Sequence, residues 1–99
     1  MVKMPDAEVA ERLAAMPRWA RRDDAIERTW EFPDFVHSMR FVQAVAAEAE
    51  RVQHHPDITV RYSRVTLTLS THDAAGISVK DFDFAAWADA NAPAAGARG

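Results

Sequence analysis

The stretch Val52–His72, VQHHPDITVRYSRVTLTLSTH, decides the fold. Its apolar residues recur at every second position in two runs, first Ile58, Val60 and Tyr62 and then Val65, Leu67 and Leu69. Alternate side chains lie on the same face of a strand, so each run predicts a strand with one buried face. Ser63-Arg64 lies between the runs and predicts the turn of an antiparallel hairpin.

A long helix is predicted immediately before this hairpin. Between residues 35 and 53, apolar side chains recur at helical spacing, at Phe35, Met39, Val42, Ala46 and Ala49. Pro33-Asp34 precedes this pattern and would cap the helix. At the other end, Pro56 cannot continue the helix, and it excludes the helical conformation for His55.

The same kind of pattern predicts three further elements. Asp6 is a good N-cap for a short amphipathic helix that ends at Pro17. Residues 19–22 and 25–32 read as two strands of a hairpin, separated by two aspartates. A last helix is predicted from Ser78 to about residue 90, because its apolar residues again share one stripe.

The predicted order is helix, two strands, helix, two strands, helix. Hairpins that alternate with helices predict an α+β domain, in which a four-stranded antiparallel sheet carries three helices on one face. We assign residues 1–92 to this single domain. We expect residues 93–99 to form a flexible tail, because they contain Ala, Pro and Gly but no large apolar side chain.

Composition restricts the class of protein. The net charge is −3 and the 12 basic residues are scattered, so a nucleic-acid surface is not expected. The chain has no cysteine, which excludes disulfides, thiolate metal sites and a catalytic thiol, and which suits a cytoplasmic protein. Neither a signal peptide nor an apolar run of the ~20 residues that span a bilayer is visible, so no membrane association is expected.

The histidines are the most informative polar residues. Three of the four lie at the ends of the Val52–His72 stretch, as His54, His55 and His72. An imidazole exchanges its proton near neutral pH, so two of them can supply an acid and a base to one site. Glu50 lies one helical turn before His54, and an antiparallel hairpin could bring His55 and His72 to one edge of the sheet.

Simpler interpretations of the same residues remain open at this stage. The adjacent histidines could be cationic caps of a helix C-terminus, and Asp81, three residues after Ser78, could belong to a capping box. Trp19 and Trp87 are by default core or interface aromatic residues. A zinc site built from three histidines is an alternative, but their spacing matches no common ligand pattern, so no metal is predicted.

Taken together, the region Glu50–Asp81 resembles the pterin-4a-carbinolamine dehydratase family. The pattern that carries the resemblance consists of Glu50, His54, His55, Pro56, Val60, Tyr62, Val65, Thr71, His72, Gly76, Ser78 and Asp81. The resemblance implies the same α+β fold, a homodimer or homotetramer, and the dehydration of 4a-hydroxytetrahydropterin to quinonoid dihydropterin. It implies no metal and no bound cofactor, because the pterin is the substrate, and it implies an aromatic amino acid hydroxylase as a further partner.

The resemblance also implies a role for each site residue. His54, His55 and His72 would be catalytic, with His55 and His72 as the acid and base. Glu50 would orient His54, and Asp81 would orient an imidazole. Residues implied to contact the pterin, besides the histidines, are Pro56, Thr71, Asp73, Ala74 and Trp19. The alternative is a non-catalytic binding or assembly partner with the same fold, since the family also has such members.

Overall fold

The computed structural model describes residues 2–98, which form three α-helices and one four-stranded sheet. The elements are α1 Asp6–Ala14, β1 Ala20–Arg22, β2 Ala25–Glu31, α2 Phe35–Val52, β3 Asp57–Arg61, β4 Arg64–Leu69 and α3 Val79–Asn91, with short 3-10 turns at His72–Ala74 and Pro93–Ala95. The predicted order of helices and strands is confirmed. Within residues 2–98, no helix combines the length and the apolar character needed to cross a membrane.

The sheet is antiparallel, with the strand order β1-β2-β4-β3. Val65 in β4 pairs with Trp30 in β2 and with Val60 in β3, so apolar side chains of three strands meet on one face. The three helices pack on this face. The opposite face carries threonines and charged residues, such as the hydrogen-bonded pair Thr29 and Thr66. One apolar core therefore lies between the sheet and the helices.

Two local details differ from the predictions. The hairpin between β3 and β4 turns at Tyr62-Ser63, not at Ser63-Arg64, because Arg61 pairs with Arg64 and leaves a two-residue loop. Tyr62 adopts the left-handed conformation (φ 54°) that such a loop requires, and it is exposed. The N-cap of α1 is Pro5 and not Asp6, which lies in the first turn and pairs with Arg21 at 3.0 Å.

The predicted tail at 93–99 packs against the domain as far as residue 98. Pro93–Ala95 forms a 3-10 turn, and Ala95 and Ala97 lie against the core. The backbone N–H of Arg98 donates to the carbonyl of Glu31 at 2.8 Å, which attaches the segment to the end of β2. Small side chains give a weak sequence signal, so the packing of this segment was not predicted.

The predicted cap of α2 at Asp34 is confirmed. Its carboxylate accepts from the backbone N–H of His37 at 2.9 Å and contacts the Nδ1 atom of the same residue at 2.6 Å. The backbone hydrogen bond, followed by the side-chain one, holds the pKa of Asp34 below its ordinary value of 3.8. Folding therefore gains from the ionised form of this side chain.

We expect Asp34 to contribute to stability above pH 3.8 and to lose that contribution as the pH falls through its lower value in the folded protein. Replacing Asp34 with Ala should lower the urea midpoint of unfolding at pH 7. The difference in midpoint between the variant and wild type should become smaller in acid. Glu11→Ala is the matched control, because Glu11 is exposed on α1 and accepts no hydrogen bond from residues 2–98. Equal midpoints for wild type and Asp34→Ala at pH 7 would contradict the assignment.

Candidate active site

The end of α2 explains why two adjacent histidines have different environments. Gln53 ends the helix in the left-handed conformation (φ 52°, ψ 48°), and the backbone N–H groups of Gln53 and His54 both donate to the carbonyl of Ala49. This cap reverses the chain direction within two residues. The side chain of His54 is consequently only 11% exposed, whereas that of His55 is 57% exposed.

The inward-facing His54 contacts a completely buried carboxylate, that of Asp81 in the first turn of α3. Its Nε2 atom lies 2.6 Å from Oδ1 of Asp81. The other carboxylate oxygen, Oδ2, accepts from the backbone N–H of Ser78 and from the hydroxyl of Thr71, both at 2.9 Å. A buried carboxylate needs such donors, because without them its desolvation would be very costly.

The hydrogen bonds around Asp81 have one consistent direction. The hydroxyl of Thr71 donates to Asp81, so it accepts from the hydroxyl of Ser78 at 2.7 Å, which in turn accepts from the backbone N–H of Lys80 at 3.3 Å. The carboxylate is thus an acceptor at both oxygens, and Nε2 of His54 must donate to it. A neutral imidazole has one N–H, so this assignment leaves Nδ1 with a free lone pair.

That Nδ1 atom is open to solvent. It takes part in no hydrogen bond within residues 2–98. Every fully buried side-chain nitrogen or oxygen of these residues has a hydrogen-bond partner, so this unpaired atom is not fully buried. His54 borders a hollow of about 390 Å³ between the end of α2 and α3. The residues that line it are Glu48, Arg51, Val52, His54, Lys80, Asp83, Phe84 and Trp87. The arrangement can therefore accept a proton at a partly sheltered nitrogen.

Phe84 and Trp87 form the apolar wall of this hollow, and sequence reasoning missed both as site residues. Their rings pack edge to face with centroids 5.5 Å apart, and the ring of Phe84 lies 6.5 Å from that of His54. Lys80, Asp83, Phe84 and Trp87 recur at helical spacing along α3. This helical spacing was the signal from which Phe84 and Trp87 could have been predicted as site residues. It was overlooked because tryptophan was assigned by default to the core or an interface.

The capping and functional interpretations of Asp81 are both correct as far as contacts go. Ser78 and Asp81 form the predicted capping box, in which Oδ2 of Asp81 accepts the backbone N–H of Ser78. The other oxygen remains for the imidazole of His54. The structure thus places Asp81 in contact with the imidazole of His54, and the expectation that Asp81 orients a catalytic imidazole stays a prediction.

The expectation that Glu50 orients His54 is wrong. The carboxylate of Glu50 lies 2.5 Å from Nε2 of His55, and both side chains are mostly exposed. The helical spacing that suggested the other pairing ends at Gln53, where the chain turns His54 inward and leaves His55 near the outer side of α2. Each adjacent histidine thus has its own carboxylate.

His72 begins the loop that follows β4. Two backbone hydrogen bonds between Thr71 and Gly76 close this loop. The N–H of Thr71 donates to the carbonyl of Gly76 at 2.8 Å, and the N–H of Gly76 donates to the carbonyl of Thr71 at 3.3 Å. The ladder between β3 and β4 ends at the pair Asp57 and Thr68. The chain segments that carry His55 and His72 consequently leave the sheet at the same end, while no hydrogen bond within residues 2–98 joins the imidazoles directly.

Other predicted contact residues have different surroundings. Half-buried Pro56, exposed Asp73 and half-buried Ala74 lie beside the histidines in the chain, on the two segments that leave this end of the sheet. Thr71, however, is buried, and its hydroxyl and both backbone groups are bonded inside the protein, so it supports Asp81 instead of facing a ligand.

Trp19 does not contact any of the three histidines. It is buried in the core, packs edge-on against Trp30, and donates from Nε1 to the carboxylate of Asp89 at 3.0 Å. The expectation that Trp19 walls the pocket is therefore not met, because this side chain completes the core on another side of α3. Within residues 2–98, no group of three or more His, Asp and Glu side chains is placed to hold a metal ion.

Together these features define an α+β domain with a buried His–Asp pair and a second His–Glu pair at one end of its sheet. Comparison with known proteins is specific about the family. The family model described as pterin 4 alpha carbinolamine dehydratase matches residues 2–91. A protein of Acidobacterium capsulatum, named provisionally as a pterin-4-alpha-carbinolamine dehydratase, is 49% identical over 86 residues, which are 87% of this chain and 94% of that protein.

Solved structures agree. A crystal structure of a transcriptional coactivator/pterin dehydratase from Brucella melitensis has a TM-score of 0.86 and 34% identity, over 91% of this chain and 98% of that one. A pterin dehydratase-like protein, described as a RuBisCO assembly factor in the alpha-carboxysome, has a TM-score of 0.63 and 25% identity, over 76% and 87% of the two chains. The chain belongs to the pterin 4-alpha-carbinolamine dehydratase family.

Replacing Asp81 with Asn tests the role of the buried carboxylate in the fold. The amide cannot accept from all three donors at once, and leaving a buried donor unpaired costs roughly 1–3 kcal/mol. We expect urea denaturation to show a loss of that size for Asp81→Asn. Asp83→Asn, two residues along the same helix and exposed, should change the free energy of unfolding little. Equal effects of the two substitutions would contradict the arrangement.

Proposed function

We propose that this protein catalyses the dehydration of 4a-hydroxytetrahydropterin to quinonoid dihydropterin. In this reaction the bond between C4a and its hydroxyl oxygen breaks, the oxygen takes a proton and leaves as water, and a ring N–H loses its proton as the new double bond forms. Hydroxide is a poor leaving group, so the step needs an acid and a base close together. The protein would thereby recycle the pterin used by an aromatic amino acid hydroxylase in the cytoplasm.

The observation that carries this proposal is the His54–Asp81 pair, with exposed His55 next to His54 in the chain and exposed His72 next to Thr71, whose hydroxyl donates to Asp81. Nδ1 of His54 is unpaired and accessible, and the carboxylate of Asp81 at Nε2 holds the ring in the tautomer that leaves Nδ1 free to take a proton. In our proposal His54 is the base that takes the ring proton. This assignment revises the expectation that His55 and His72 alone share the acid and base roles.

The acid is then His55 or His72. Both are exposed, so each can take a proton from solvent between turnovers. His55 has the additional support of Glu50, whose carboxylate lies 2.5 Å from Nε2 and orients the imidazole. We propose His55 as the group that protonates the leaving oxygen, with His72 and its loop on the opposite side of the pterin.

The kinetic test follows the ultraviolet signal of 4a-hydroxytetrahydropterin, whose uncatalysed loss provides the background. We expect wild type to accelerate that loss. His54→Gln should lower the rate constant by about 10²–10⁴-fold, because the amide can still donate to Asp81 but cannot act as a base. His55→Ala and His72→Ala should also lose activity, and His37→Gln, at the other end of α2, should retain it.

The outcome that would contradict the enzymatic proposal is a wild-type rate equal to the uncatalysed background, with the His55→Ala rate indistinguishable from it. A His54→Gln variant as active as wild type would overturn the assignment of the base alone. Circular dichroism of each variant separates loss of chemistry from loss of fold.

A second function, as a non-catalytic binding or assembly partner, is supported by the names of the two solved relatives, a transcriptional coactivator/pterin dehydratase and a RuBisCO assembly factor. On this proposal the domain acts through its surface and the histidines need no acid or base role. A folded wild-type protein without dehydratase activity would favour it.

We also propose that the protein is a homodimer or homotetramer. Phe35 and Val36 are exposed large apolar side chains at the start of α2, and partly exposed Met39 follows them one turn later. An apolar patch of this kind is typical of an interface. Sedimentation equilibrium should give a mass of two or four times 11.1 kDa, the mass of one chain. The Phe35→Glu substitution should shift the measured mass towards that of the monomer. A wild-type mass of 11.1 kDa at micromolar concentration would contradict the proposal.

A further inference from the structure

Four arginines gather near the end of β4 that is opposite to the histidines. We call Arg18, Arg28, Arg64 and Arg98 the arginine cluster. They line two adjoining hollows of about 200 and 390 Å³, which share Arg18, Arg28, Trp30 and Arg98 among their lining residues. Neither hollow includes a histidine, a residue of the Asp81 network or a residue with a proposed catalytic role.

The charges in the arginine cluster are not balanced. Arg28 pairs with Asp89 at 2.6 Å, and Arg64 pairs with Glu31 at 2.8 Å. Arg18 and Arg98 pair with no carboxylate of residues 2–98. Two guanidinium groups thus remain uncompensated around one pair of hollows, in a chain whose net charge is −3. Local positive charge in an acidic protein attracts anions to that place specifically.

The centre of the cluster is held in position by the core. The side chain of Arg28 is only 12% exposed and lies over the ring of Trp30, 4.8 Å from its centroid. Its partner Asp89 is itself fixed by the indole N–H of Trp19 at 3.0 Å. One guanidinium nitrogen of Arg28 donates to Asp89. Its other nitrogens are not fully buried without a hydrogen-bond partner, so they remain accessible as donors from the hollows.

A gap along the edge of β2 adds a backbone donor. The ladder between β1 and β2 ends at the pair Ala20 and Glu27, and the next contact on this edge is the Arg98 N–H to the carbonyl of Glu31. Backbone groups of an antiparallel strand point to alternate sides, so the N–H of Thr29 points to the same edge as the carbonyl of Glu31. Thr29, which lines the larger hollow together with Arg18 and Arg98, therefore presents its N–H on this edge.

We propose that the arginine cluster binds the phosphate group of a small phosphate monoester. Guanidinium groups match the geometry of phosphate oxygens with paired donors, and a backbone N–H adds a third direction of contact. The smaller hollow is large enough for the phosphate group, and the adjoining one leaves room for the organic part. The site is separate from the proposed dehydratase centre, so it does not depend on that function.

The proposal is tested on the full chain by following backbone amide signals in ¹H–¹⁵N spectra during titration with inorganic phosphate and with glycerol phosphate. Sodium chloride at matched ionic strength is the reference. We expect saturable shifts at the amides of Arg18, Thr29 and Arg98, with tighter binding of the ester than of inorganic phosphate. Arg18→Gln and Arg98→Gln should each weaken binding by about tenfold, since each removes charge-assisted hydrogen bonds.

Arg40→Gln is the matched control, because Arg40 is exposed, lies outside the cluster and pairs with no carboxylate of residues 2–98. It should change the dissociation constant by less than about twofold, as expected for a charge outside the site that is screened by salt. Shifts that chloride reproduces at equal ionic strength, or equal weakening by control and cluster substitutions, would overturn the proposal. The spectrum of each unliganded variant establishes that it is folded.

Discussion

The buried carboxylate of Asp81 is the constraint on which the rest of the site depends. A carboxylate without access to water must receive hydrogen bonds at both oxygens, and here the donors come from three parts of the chain. Ser78 supplies its backbone N–H at the start of α3, Thr71 supplies its hydroxyl after β4, and His54 supplies Nε2–H after α2. Satisfying one side chain thus joins the ends of three elements.

This arrangement explains why folding and the proposed chemistry use the same residues. The capping box that begins α3 requires only one oxygen of Asp81, so the second oxygen can fix an imidazole at no cost to the helix. The left-handed cap at Gln53 then gives two adjacent histidines opposite surroundings. One is sheltered and held by a buried carboxylate, and the other is exposed and held by Glu50. Environments that differ in this way allow one site to contain both an acid and a base.

Much of the fold could be predicted from the sequence, because its strongest signals are periodic. The alternation through Leu67 and Leu69 reflects burial, and both side chains are buried. The helical spacing predicted α2 but only part of its buried face, which carries Phe41, Val45 and Ala49, whereas Phe35 and Ala46 of the predicted stripe are exposed. The turn at Tyr62 and the packed segment after Pro93 were missed. The turn depends on the register of the hairpin, in which Arg61 pairs with Arg64, and the packed segment depends on the contact of Arg98 with the distant Glu31. The alternation of apolar residues reports neither of them.

The histidines and carboxylates of the candidate site could be selected from the sequence, but which carboxylate contacts which histidine could not be predicted. Spacing along a helix suggested Glu50 for His54, and only the reversal at Gln53 redirects each histidine to its actual carboxylate. The arginine cluster could not be predicted either. Its members are scattered along the chain and meet only when the sheet forms; they are Arg18, Arg28, Arg64 and Arg98. Trp87 was assigned to the core because an aromatic residue on a helix usually belongs there.

The most direct test of this account is the tautomer of His54, read from a two-bond ¹H–¹⁵N NMR spectrum of the imidazole in its neutral form. The account predicts a proton on Nε2, shared with Asp81, and an unprotonated Nδ1. A spectrum with the proton on Nδ1, or with the two tautomers in rapid exchange, would contradict it, because Asp81 would then not hold His54 as the hydrogen-bond network requires.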